Sequence, residues 1–270
     1  MIKTKTQLSA GLALLLSLNP AFAGPIAPIG GMGMQLEAYQ IRTKQPVSSN
    51  SDKQLIGVHL NYDHDLGGDR YMRWHLFRTV NVTRAKSDDK QGMAINLNKD
   101  QQHEFSTGVD YQASLAISDS TSINPRAGFE YRRFFHGQDA SGYDAYPNQK
   151  AHFALLPVGV DLMASLSANW MLEASATYQY LIYSNQVAYT SGNSLVLPTS
   201  QDIKANGFGT RFGSDLFYLM GHSRLGIGAF IQSWRVSTDD PQAKNLPLSS
   251  LAFMPNNQAS QLGVHVSFHL

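Results

Sequence analysis

Leu262-Gly263-Val264-His265-Val266-Ser267-Phe268-His269-Leu270 is the stretch that decides the fold of this 270-residue chain. Leu262, Val264, Val266, Phe268 and Leu270 fall on one parity, and Gly263, His265, Ser267 and His269 on the other. Successive side chains of a β-strand point to opposite faces, so the segment reads as a strand between an apolar and a wet environment. The split recurs upstream. Across 104–118, Phe105, Val109, Tyr111, Ala113, Leu115 and Ile117 oppose Glu104, Ser106, Asp110, Gln112 and Ser114. Across 171–183, Leu172, Ala174, Ala176, Tyr178, Tyr180 and Ile182 oppose Glu173, Ser175, Thr177 and Gln179. These runs outlast the ~5–6 residues of a typical soluble strand and meet the ~9–11 needed to cross a bilayer at a tilt.

Ten such segments are expected, near 35–44, 54–63, 70–84, 103–118, 121–136, 152–166, 169–189, 203–220, 222–236 and 259–270. Connections of 64–69, 119–120, 167–168 and 221 are short, whereas 45–53, 85–102, 137–151, 190–202 and 237–258 are long. Short turns at one rim and long loops at the other are the layout of a transmembrane β-barrel, with the turns periplasmic and the loops extracellular. The predicted fold is therefore all-β: one closed antiparallel transmembrane barrel of about ten strands, within a range of roughly eight to twelve. Closure follows from physics, since each backbone group left unpaired in hydrocarbon costs several kcal/mol and only a closed sheet has no edge. Mean hydropathy is −0.24 and net charge +1, values that by themselves describe an ordinary soluble protein.

Charge distinguishes the two kinds of barrel. The polar parity carries the acids Asp63, Asp110, Glu130, Asp161, Glu173 and Asp215 and the bases Arg73, Arg126, Arg132 and Arg211. A soluble barrel would bury its apolar parity and expose this one, whereas charges of both signs in this number fit a wet, ion-paired lumen. Roughly eight strands are just wide enough for side chains to fill a barrel interior, so ten leave a modest bore. With Arg73, Phe77, Arg126, Arg132, Phe230 and Trp234 inside, the lumen is expected to be largely plugged. Trp74, Tyr131, Trp170, Tyr218 and Phe268 are placed for interfacial girdles.

At the other end, Lys3 and Lys5 precede an apolar stretch from Leu8 to Leu18 and then Ala21-Phe22-Ala23. This reads as a secretory signal over 1–23, cut between Ala23 and Gly24, leaving a short flexible segment at 24–34 and the barrel at 35–270. There is no cysteine, which excludes a disulfide-stapled scaffold.

The processing site, the repeated amphipathic strands and the terminal Gly-Val-His-Val-Ser-Phe-His-Leu together resemble the small Gram-negative outer-membrane β-barrel proteins. That resemblance implies residence in the bacterial outer membrane, contact with its lipid and lipopolysaccharide, and assembly by the barrel-assembly machinery. The assembly signal is expected in the last strand at Val264, Val266, Phe268 and Leu270. Such proteins typically end in an aromatic residue, and here Phe268 stands two residues before Leu270 on the same face. Within the group the chain is most similar to a solitary autotransporter-type barrel without a passenger, although its ten strands are fewer than usual there.

Three functional readings follow. The first is a monomeric barrel with a structural or surface-interaction role, whose external loops meet a ligand. Tyr143 and Tyr146 among small polar residues suit such contacts, and the apolar content of 237–258 suits a flap over the barrel mouth or else a sticky surface. The second is an omptin-like or lipid-modifying enzyme, for which Asp88, Asp89, Asp100, His103, His136 and Asp139 are the candidate rim residues. The third is a narrow substrate-selective channel. Asp63-His64-Asp65 has residue types suited to acid-base chemistry or to holding a metal, but it sits at a short turn, where Asp65-Leu66-Gly67-Gly68 is ordinary turn chemistry. The nine histidines show no metal-binding spacing, and no basic stripe supports nucleic-acid binding. No metal and no cofactor are expected.

Overall fold

The structure, a computed structural model, describes residues 31–44, 51–81, 83–85, 92–94, 101–137, 148–189, 200–201, 206–237 and 257–270. Alternating sequence becomes ten long strands: β1 Gly31–Lys44, β2 Ser51–Asp65, β3 Arg70–Asn81, β4 Gln101–Ala113, β5 Thr121–Gly137, β6 Asn148–Ser165, β7 Trp170–Tyr189, β8 Asn206–Met220, β9 Ser223–Ser237 and β10 Asn257–His269. Each pairs antiparallel with its neighbours in sequence. The ring shuts where β1 pairs with β10, from Gly33 opposite His269 to Lys44 opposite Gln258. Three small additions lie off this ring. Leu115–Ser118 continues β4 along β5, Ser200–Gln201 lies beside β7, and Thr83–Ala85 forms a ribbon with Gly92–Ala94. The fold is thus a closed, ten-stranded antiparallel barrel.

Turn chemistry sets the short rim. Two residues join β8 to β9, and Gly221 takes the first position with φ +64°, the conformation a two-residue hairpin of this kind requires. Between β2 and β3, Gly67, Gly68 and Asp69 all have positive φ, and the Asp65 carboxylate accepts the Gly67 amide at 2.7 Å. The cluster Asp63-His64-Asp65 is therefore divided: Asp63 points into the barrel, while His64 and Asp65 are exposed at the turn.

The first strand begins four residues earlier than its sequence pattern suggests. Gly31–Met34, assigned above to a flexible segment, pairs with Leu60–Asp63 of β2. Glycine masks the alternation: Met32 and Met34 face outward, and Gly33 faces an interior where Asn61 and His269 leave no room for a Cβ.

Outside, the wall is apolar. Leu36, Trp74, Val158, Phe212, Ile227, Ile231, Leu262, Val264, Val266 and Leu270 are all exposed large hydrophobics. From Leu262 to Leu270 the strand covers about 27 Å at ~3.4 Å per residue, and a ~40° tilt turns this into about 21 Å of height, close to the ~25 Å apolar band of membrane barrels. Such a wall is stable against lipid and unstable against water. Trp170 and Tyr218 pair edge-on at 5.0 Å near the short rim, where Trp74 and Phe268 also lie, while Tyr131 is toward the long-loop rim.

Inside, three layers stack along the axis. Toward the long loops, Tyr39, Leu55, Phe77 and Phe230 form one apolar cluster with Ile41, and Leu155 and Leu181 form another with Phe153, Trp234 and Val236. Toward the short turns, Met163, Met171 and Phe217 close a third. Most of the charged residues lie between them, while Glu104 stands level with the clusters toward the long loops, beside Tyr39, and Arg224 lies on the short-turn side of Phe217. Aromatic rings lie flat against glycines of the adjacent strand, Phe230 on Gly263 and Trp234 on Gly209, so bulky side chains fill the bore without pushing the wall outward.

Candidate functional site: the charged lumen

Strand parity sends alternate residues inward, and a width of ten strands brings those residues within reach of one another across the bore. The interior keeps a cavity of about 210 Å³. A cavity of this size has room for several ordered waters. Every lumen residue proposed from sequence faces this interior: Arg73, Asp110, Arg126, Glu130, Arg132, Asp161, Glu173, Arg211 and Asp215 line the cavity, and Asp63 is buried beside Arg73.

Four arginines organise the network. Arg73 grips Asp63 through two hydrogen bonds, Nε to Oδ1 at 2.7 Å and Nη2 to Oδ2 at 2.9 Å. Arg126 stands between Asp110 and Asp161, 3.4 Å from each, and donates to the Thr177 hydroxyl. Arg132 donates to Glu130 Oε1 from Nη2 at 2.8 Å and Nε at 3.1 Å, approaches Glu104 at 3.5 Å, and stacks on Trp234. Arg211 reaches across from β8 to Glu37 on β1 at 2.7 Å, over the Phe230 ring. His59 Nε2 lies 3.1 Å from the same Glu37 oxygen, and His265 contacts Asp215.

Ionisable residues outside that sequence-derived charge set complete it. Glu37, Glu104 and Arg224 also point inward, with His59, His75, His265 and His269. Among the described residues the interior then holds eight carboxylates, on Glu37, Asp63, Glu104, Asp110, Glu130, Asp161, Glu173 and Asp215, against five guanidiniums, on Arg73, Arg126, Arg132, Arg211 and Arg224. Glu37 stands between Leu36 and Tyr39 in a stretch where both parities carry apolar residues, so its face is ambiguous from sequence. Glu104 and Arg224 fall on the polar parity and are legible by the same rule as the others. Arg224 is 2% exposed and stacks on Phe217, and among the described residues its Nε and Nη1 have no hydrogen-bond partner.

Chemically, these contacts neutralise charge and fill space. The buried ions are mostly paired, and an ion pair kept from water is retained only with good geometry and added hydrogen bonds, which Gln179 supplies to Glu130 at 2.9 Å. Among the described residues, no group of three or more His, Asp or Glu side chains is placed to hold a metal ion.

No protein-family model matches the sequence, and no curated protein does either. Solved structures of similar shape exist. The outer membrane protease OmpT from Escherichia coli is 8% identical, with 93% of this chain and 98% of that one covered and a TM-score of 0.47. Neisserial surface protein A is 10% identical, with 89% and 97% covered and a TM-score of 0.38. The translocator domain of the autotransporter NalP from Neisseria meningitidis is 8% identical, with 98% and 96% covered and a TM-score of 0.37.

The rim residues considered for an enzyme fare differently. Asp88, Asp89, Asp100 and Asp139 lie outside the described residues, as do Ala23, Gly24, Tyr143, Tyr146 and residues 238–256 of the flap proposed for 237–258. His103 lies opposite Phe135, and His136 opposite Gln102, one rung apart on β4 and β5. At the other end of the chain, Val264 and Val266 of β10 and Leu270 just after it are exposed on the outer wall, with Phe268 half-buried on the same parity, in the strand that closes the barrel onto β1.

Proposed function

We propose that this chain is a non-conducting barrel of the bacterial outer membrane whose role is structural or interactive, with its long connections displayed to the exterior. The observation that carries the proposal is the filled lumen. Glu37, Glu104, Glu130 and Arg132 are each at most 6% exposed, Leu155 is 1% exposed, and apolar clusters lie on both sides of the charged layer. A path for hydrated solutes would require these side chains to move together, breaking buried ion pairs. In this reading the chain is exported, cut between Ala23 and Gly24, and assembled as a monomer through Val264, Val266, Phe268 and Leu270. Ligand choice then resides in the long connections, as loops on a rigid scaffold commonly carry recognition.

Planar-bilayer recording from the purified, refolded protein tests this. A silent membrane at protein levels where a general porin conducts is the expected result. Discrete, reproducible openings would overturn it in favour of a substrate-selective channel.

A further inference from the structure

On the outer wall, Arg78 of β3, Phe105 of β4 and Arg133 of β5 stand side by side on one rung, since Arg78 pairs with Phe105 and Phe105 with Arg133. His152 of β6 continues the rung opposite Arg133. All three leading positions are exposed, and among the described residues neither guanidinium meets a carboxylate. Neighbouring strands are ~4.8 Å apart, so the two arginines are separated at their Cα atoms by roughly 10 Å, with an aromatic ring between them.

Below this rung the outward row is Leu76, Thr107 and Tyr131, and the wall then becomes apolar: Trp74, Val109 and Phe129 share the next row, and Met72, Tyr111 and Ala127 the one after, toward the short turns. Arg78 is eight residues along β3 from Arg70, and Arg133 twelve along β5 from Thr121. At ~3.3 Å per residue and a ~40° tilt, these positions stand roughly 20 to 30 Å above the short rim, the height at which a ~25 Å apolar band ends. Two cations at a membrane surface, directly over a strip of aromatic and aliphatic side chains, are complementary to an amphiphile with an anionic head. Arginine in particular matches phosphate oxygens with two parallel N–H donors.

We propose that the wall over β3, β4 and β5 is a binding site for a lipid whose phosphorylated head carries a net negative charge, in the leaflet nearest the long loops. The phosphate sits between Arg78 and Arg133, and acyl chains lie along Trp74, Val109 and Phe129. The proposal rests on the membrane reading given above and adds a site to it.

Native mass spectrometry of the detergent-solubilised full chain can count retained lipids. Lipid A and phosphatidylglycerol serve as anionic probes, phosphatidylethanolamine as the zwitterionic control, and inorganic phosphate as the lipid-free anion. The anionic lipids are expected to remain bound. Arg78→Gln and Arg133→Gln should each weaken retention about tenfold, the scale of one lost charged hydrogen bond. Arg235→Gln, an exposed arginine of the same rim on β9, should change nothing. Equal retention by the Arg78→Gln/Arg133→Gln variant and the wild type would overturn the site, as would equal retention of the zwitterionic lipid or competition by inorganic phosphate alone. A wild-type chain that stays soluble without detergent and retains no lipid would instead sink the membrane reading itself.

Discussion

Replacing Arg132 with methionine tests whether the lumen is held by paired charges or merely wetted. The guanidinium donates twice to Glu130 Oε1, at 2.8 and 3.1 Å, stands 3.5 Å from Glu104 Oε1, and covers the Trp234 ring at 4.5 Å. Methionine retains much of the aliphatic volume but leaves both carboxylates without a cation. Breaking a buried ion pair by removing one partner costs about 3–5 kcal/mol. Gln179 still donates to Glu130 at 2.9 Å and Tyr39 to Glu104 at 3.4 Å, and the adjoining cavity has room for water. These remaining donors place the expected loss at the lower end, about 3 kcal/mol. Equilibrium urea unfolding of the protein in lipid vesicles, followed by tryptophan fluorescence, measures it. The triple variant Glu104→Gln/Glu130→Gln/Arg132→Met removes the stranded charges and should recover most of the loss, because exchanging a whole buried ion pair for neutral groups is often close to neutral. A loss below about 1 kcal/mol in the single variant would refute the argument, since that is the range of a solvent-screened pair. So would a triple variant no more stable than the single one.

The same unfolding assay separates the outer wall from the turns. Val264→Arg puts a charge on a side chain that is 59% exposed on the apolar exterior and should cost about 2–4 kcal/mol in lipid, the range for the bilayer midplane. An unchanged midpoint would mean that this face does not touch hydrocarbon. Gly221→Val forces a β-branched residue to φ +64° in the hairpin joining β8 and β9 and should cost about 1–3 kcal/mol. A Cβ added at Gly221 would meet no atom within 4 Å, so any loss there reports backbone strain alone.

Alternation by itself determined that this chain forms long strands, that one parity makes an apolar outer wall and the other lines an interior, and that the strands turn back through short connections at one rim. It also placed Arg73, Arg126, Arg132 and Arg211 on the inner parity, because a period of two leaves no other choice once one face is apolar. It failed where the period is blurred, at Gly31–Met34, where glycines interrupt the pattern, and at Glu37, flanked by apolar residues of both parities. Partnership is a different kind of information. Arg211 meets Glu37 across 174 residues of chain, and Arg126 meets Thr177 across 51. Parity fixes only the face on which a side chain stands. Which charges meet across the bore depends on the height of each rung around the ring, and that is set when β10 closes onto β1 with Gly33 opposite His269. Closure couples every strand to every other, so the pairing of charges is a property of the finished barrel and of no single segment.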